Sequence, residues 1–104
     1  MLINGVSEYK LLKVFTIEYL YEYPASTKKQ IFAALCYKYN NFELKENTFN
    51  RWFAKFINKG YIKKVGQIKN PRGGDIHTYD LFPSKVNYVQ NGALEEYKKK
   101  YGVF

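Results

Sequence analysis

Asn47-Thr48-Phe49-Asn50-Arg51-Trp52-Phe53-Ala54-Lys55-Phe56-Ile57-Asn58-Lys59-Gly60-Tyr61-Ile62 is the stretch on which the fold turns. Phe49, Trp52, Phe53, Phe56 and Ile57 recur at i, i+3, i+4, i+7 and i+8, the spacing of one apolar stripe on an α-helix. Asn47 is placed to cap its start. Gly60 stands where a left-handed C-cap is expected, and Lys59 is well placed for the helix dipole. At about 100° per residue the stripe centres between Phe49 and Phe53. Asn47, Arg51, Ala54, Lys55 and Asn58 then occupy the opposite side, with Thr48 and Asn50 on its flanks and no acidic residue among them.

Working outward, the period changes to two after Gly60. Tyr61 to Lys69 and Ile76 to Phe82 read as strands joined by Asn70-Pro71-Arg72-Gly73-Gly74, a dense turn signal. This predicts a hairpin over 61–82 with a basic, exposed tip, closed by Pro83. Upstream, Ser7 to Tyr21 reads as a first helix, capped by Ser7 and carrying Leu12, Phe15, Tyr19 and Leu20 at helical spacing. Pro24 ends it, since the residue before a proline is pushed out of the α region. Ala25-Ser26 is a short connector that can bridge to a later strand. Thr27-Lys28-Lys29-Gln30 has the capping-box form, and a second helix runs on to about Tyr39 with Ile31, Phe32, Leu35 and Cys36 on its apolar face. Asn40-Asn41 break it, and Phe42 and Leu44 in the connector are expected in the core. Ser84–Asn91 is ambiguous; Gly92 to Tyr101 reads as a fourth helix, with Leu94, Tyr97 and Tyr101 on one side.

The charge is uneven. Lys+Arg is 17 against 9 Asp+Glu, a formal net charge of +8 over 104 residues. Fifteen of the basic residues are Lys, in a chain also rich in Asn, Ile, Tyr and Phe, so A/T-rich codons account for part of the excess. They do not account for its place. Residues 1–23 carry −1, 24–60 carry +5, 61–83 carry +2 and 84–104 carry +2. A middle third this basic favours a local footprint for a polyanion, and would equally suit an acidic partner protein.

The order helix, helix, helix, hairpin, with the most regular helix third, resembles the winged helix-turn-helix DNA-binding domain family. Residues 47–62 are similar to that family's recognition helix running into its first wing strand, Thr27 to Leu35 to its second helix, and Tyr79-Asp80-Leu81 to the return strand of the wing. The connector between the second and third helices is longer than the tight turn of simpler members. The resemblance implies an α+β fold: a three-helix core plus a β-hairpin wing over residues 1–83, with an extra C-terminal helix in an extension, 84–104. It also implies double-stranded DNA binding by a small transcriptional regulator, with helix 48–59 in the major groove and hairpin 61–82 as wing.

On that footing the candidate DNA contacts are Lys28, Lys29, Asn47, Thr48, Asn50, Arg51, Ala54, Lys55, Lys69 and Arg72. Arg51 is the sharpest, because a guanidinium fork can bond guanine O6 and N7 together, or clamp a phosphate. The only other arginine, Arg72, stands at the wing tip with Lys69, suited to an adjacent minor groove. Ala54 would let the helix approach a base edge or thymine methyl; it is equally an ordinary helix former. Asn47, Thr48 and Asn50 can bond adenine edges or phosphates, although capping explains Asn47 first. Lys55 suits a phosphate, or solvent. Lys28 and Lys29 stand at a helix start, where the dipole favours a phosphate oxygen.

Other chemistries find little support. Cys36 is alone, which rules out an internal disulfide and a Cys-based zinc site. His77 has no spaced partner for a metal. No catalytic triad, paired carboxylates or Gly-rich phosphate loop is present, so neither catalysis nor a cofactor is expected. No stretch nears the roughly 20 apolar residues of a membrane span, Met1 to Gly5 lacks the regions of a secretory signal, and a reducing, cytoplasmic setting is the expectation. The core explains most aromatics; Tyr37, Tyr61 and Tyr88 are the ones expected to be open for base stacking. The alternatives are a winged-helix protein-interaction module acting on an acidic partner, or a DNA replication or packaging accessory protein. Leu94, Tyr97 and Tyr101, with Tyr9, Leu12 and Tyr19 of the first helix, are candidate contacts for a homodimer.

Overall fold

Pro24 and the two glycine-bounded turns divide the chain into short elements that bury one another's apolar faces. The computed structural model describes residues 2–3, 6–38 and 44–102, with side chains from residue 9 onward. A two-residue pairing of β1 (Leu2–Ile3) with β2 (Val6–Ser7) leads into α1 (Glu8–Glu22). The predicted Ser7 cap, with Tyr39, Asn40, Asn41 and Phe42, lies outside the described side chains.

Helix α1 is apolar on more sides than its predicted stripe. Leu11, Leu12, Val14, Phe15, Ile17 and Leu20 are all buried, the pattern of a helix enclosed by neighbours rather than laid on a surface. Ala25 follows with φ +58°, a left-handed turn made by a non-glycine residue. It aims β3 (Ser26–Thr27) into antiparallel pairing with β5 (Asp75–Leu81), through Ser26–Tyr79 and Thr27–Thr78.

The capping box then forms as its sequence predicts. The Gln30 N–H donates to Thr27 Oγ1 at 3.1 Å and the Thr27 N–H donates to Gln30 Oε1 at 2.9 Å, opening α2 (Lys28–Lys38). Helix α3 (Glu46–Asn58) buries Phe49, Phe53 and Phe56. Its start differs from expectation. Lys45 holds the cap position without a side-chain bond, and Asn47 lies inside the first turn, exposed. The carboxylate of Glu46 supplies the charge the dipole favours there. Ile57 is 36% exposed rather than part of the stripe, because the buried row 49-53-56 leaves it about 100° round the helix from Phe56.

The far end of α3 is a Schellman cap. The Gly60 N–H donates to the Ile57 carbonyl at 3.1 Å and the Tyr61 N–H to the Phe56 carbonyl at 2.9 Å, with Gly60 at φ +75°. The Tyr61 ring rests 6.1 Å from that of Phe56, the apolar contact that accompanies the motif.

From there β4 (Ile62–Lys69) pairs antiparallel with β5, giving the sheet order β3-β5-β4. A bulge at Val65 shifts the register between Lys64 and Gly66. Gly66 is required there, since a Cβ would lie 2.7 Å from Thr78 Oγ1. At the tip, Asn70 Oδ1 accepts from the Arg72 N–H at 3.0 Å and the Asn70 carbonyl from the Gly73 N–H at 3.0 Å.

The C-terminal stretch holds two helices, not one. Pro83 does not only close the hairpin; it opens α4 (Pro83–Gln90) at a first-turn position, where its missing N–H costs nothing. Gly92, at φ +83°, turns the chain into α5 (Ala93–Tyr101). Leu94 is buried, and Lys98 reaches Glu18 of α1 at 2.9 Å. The core is therefore shared by all three layers: α1 in the middle, α2, α3 and the sheet around it, and α4–α5 against it.

Candidate nucleic-acid interface

The apolar row Phe49-Phe53-Phe56 fixes α3 by its inner side and so leaves the other side to water. Asn47, Arg51, Ala54, Lys55 and Asn58 are all exposed, and Thr48 and Asn50 are half-buried on the flanks. Trp52, half-buried beside this surface, acts as a shared platform. The Arg51 guanidinium lies 5.0 Å and the Lys55 ammonium 4.6 Å from its ring centre. Among the described residues neither cation is paired with a carboxylate. Among the described residues the ion pairs join Lys98 to Glu18 at 2.9 Å and to Glu95 at 3.8 Å, and none involves α3.

The start of α2 comes to the same region. Lys28 places its ammonium 5.3 Å from the centre of the Phe53 ring, while Lys29 is exposed. The two lysines and Asn50 border an open groove of about 930 Å³ between α2, α3 and β5. Phe32, Phe49 and Tyr79 form its apolar floor, and His77 and Glu46 also line it. Sequence reading missed this groove. The residues that form it come from three elements, and only the spacing 28, 29, 32 on one helix hinted at a shared wall.

Lys69 and Arg72 stand apart from this group, exposed on the hairpin. The tip is less uniformly basic than its sequence suggests. Asp75 pairs with Lys69 across the strands, and Gln67 Nε2 donates to the Asp75 carboxylate. Val65, Ile68 and Ile76 are exposed along the same hairpin.

At the end of α3, the neighbouring Tyr9, aided by Tyr61, raises the Lys59 pKa above the ordinary lysine value. Burial pushes the Cys36 thiol up, which keeps it protonated and a poor nucleophile at neutral pH. No cluster of three metal-ligating side chains occurs among the described residues. Nor is any helix there long and apolar enough to cross a membrane.

Of the tyrosines expected to be open, Tyr37 is 88% exposed, but Tyr61 and Tyr88 are half-buried against the core. Of the expected dimer contacts, Leu12 and Leu94 are excluded. They are 1% and 2% exposed, both within the hydrophobic core of the single chain. Tyr9, Tyr19, Tyr97 and Tyr101 keep partial exposure.

The X-ray structure of a PadR-like transcription factor from Bacteroides fragilis is similar to this chain, with a TM-score of 0.65 over 88% of this chain and 84% of that one, at 14% sequence identity. That likeness and the element order establish the winged-helix fold. No protein-family model matches the sequence, and no curated protein does.

Proposed function

We propose that this protein is a sequence-specific double-stranded DNA-binding transcriptional regulator, with α3 in the major groove and the β4–β5 hairpin as wing. The observation that carries the reading is the outer side of α3: exposed, without an acidic partner among the described residues, and bearing Arg51 and Lys55 on a common aromatic support. An exposed helix of this length and sign fits the major groove, where Arg can bond guanine through two donors. Lys28 and Lys29, at the dipole-positive start of α2, hold the phosphate backbone. Asn47, Thr48, Asn50 and Ala54 meet base edges or sugars, and Lys69 and Arg72 meet a neighbouring groove. The DNA-binding unit is residues 1–83, and residues 84–104 brace it through α1. The fold neighbour is itself a transcription factor, which supports the regulator reading by analogy of fold. Regulation would work by occluding or recruiting at a promoter.

The groove between α2, α3 and β5 favours one second reading, an interaction module for an acidic segment, because its floor is apolar and its rim carries two lysines. A gel shift on random duplex at low salt separates the two. Retardation at micromolar protein supports the DNA reading, and none at that concentration favours the acidic protein partner.

A further inference from the structure

Lysines lie over tyrosine rings along a second surface that begins where α3 ends. Lys59 is 5.1 Å from the Tyr9 ring centre, and Tyr9 packs 5.0 Å from Trp52, the ring that supports Arg51 and Lys55. Next along, Lys13 lies 4.6 Å from the Tyr97 ring and 5.9 Å from that of Tyr61. Lys85 lies 4.8 Å from the same Tyr61 ring and 5.0 Å from Tyr88. Residues from α1, the end of α3, the turn into β4, α4 and α5 thus form one continuous track. Among the described residues the Glu96 carboxylate acts on Tyr88 there; the three ammonium groups outnumber it.

We propose that this track takes the phosphate backbone of duplex DNA flanking the segment held by α3, extending the footprint past the C-terminal end of that helix. The inference rests on the DNA reading above and names a further contact surface for it. Three features select the occupant. The ammonium groups occupy the ring faces and the rings are half-buried, so stacked single-strand bases have no open platform. A second copy across a twofold axis would set the same lysines against themselves, which opposes an isologous contact. A phosphate strand instead meets cations whose rotamers the rings already restrict, so less freedom is lost on binding.

The test uses the full chain on two random-sequence duplexes, one of about one helical turn (roughly 10 bp) and one of about three turns. The double variant Lys13→Ala/Lys85→Ala is expected to match wild type on the short duplex. On the long duplex its plot of log K against log salt becomes shallower by about 2, and affinity near 0.1 M salt falls on the order of tenfold or more, as expected for two phosphate contacts. The Lys13→Arg/Lys85→Arg pair keeps the wild-type slope. Retained binding to the short duplex shows that the variant is folded. Equal slopes for wild type and the alanine variant on the long duplex overturn the proposal alone. A wild-type dimer in sedimentation that the alanine variant dissolves, without DNA, overturns it in favour of a second copy. Wild-type protein that binds neither duplex removes the DNA reading itself.

Discussion

Lys55 holds its ammonium 4.6 Å from the ring centre of Trp52, and Arg51, one turn earlier, reaches the same ring at 5.0 Å. The indole is therefore structural on its inner edge, where it meets Tyr9, and organising on its outer one. Two cations on one helix face are held in a restricted set of rotamers before any ligand arrives. Phosphate contact and base contact then separate by residue. Lys55→Ala should weaken binding to every duplex alike and flatten the salt dependence by about 1. Fluorescence anisotropy over a salt series on selected and scrambled duplexes measures both.

The capping box makes a stability prediction independent of function. Thr27→Ala removes the acceptor of the Gln30 N–H and should cost about 1 kcal/mol in urea unfolding. Gln30→Ala, which removes the reciprocal bond to Thr27, should cost less on its own. The double variant should lose less than the sum, because the two bonds form one unit.

Gly66 is tied to Thr78 by space rather than by dihedral angle. Its Cβ would sit 2.7 Å from Thr78 Oγ1, so Gly66→Ala should destabilise the wing by about 1–3 kcal/mol. In a Thr78→Ala background the same substitution should cost at least about 0.5 kcal/mol less. Equal costs in both backgrounds would show that the bulge relaxes freely. Chemical unfolding of the four proteins measures the coupling.

Alkaline pH should unfold this chain earlier than its lysine content alone predicts. Burial raises the phenol pKa of Tyr79, Tyr88 and Tyr97, with Lys10 partly opposing the shift at Tyr97. A folded pKa above the unfolded one, about 10 for tyrosine, means that the folded state keeps protons the unfolded state releases. The contribution is whole below about pH 10 and is lost as pH rises through the folded values. Melting temperatures followed from pH 8 to 11.5 should drop above pH 10, and Tyr88→Phe or Tyr97→Phe should soften the drop.

What could be read from residue order followed how local each signal is. Phe49, Phe53 and Phe56 repeat on a single helix, Gly60 caps it with bonds that reach back only a few residues, and Thr27 and Gln30 cap another within one turn. Each carries its own evidence. The sequence places the start of α3 at Asn47, whose side chain suits a cap, whereas the helix begins at Glu46 with Lys45 at the cap position and no side-chain bond. Residues 84–91 stay ambiguous in the sequence because Pro83 can close a strand or begin a helix with the same fixed φ, and here it opens α4. The outer side of α3 was legible as a surface. Neither the groove at Lys28, Phe32, Asn50 and His77 nor the lysine–tyrosine track could be foreseen, since both join residues distant in sequence whose meeting depends on how α1, α5 and the sheet pack.

Selection of bound duplexes from a random library, carried out with wild type and with Arg51→Ala, tests the central claim most directly. The account predicts that wild type enriches a defined motif. Arg51→Ala should lose preference at one G·C position and bind the wild-type motif about 1–3 kcal/mol more weakly, while scrambled duplex loses far less. Enrichment of no motif by wild type, or equal losses on motif and scrambled DNA for Arg51→Ala, would contradict direct reading of bases by α3.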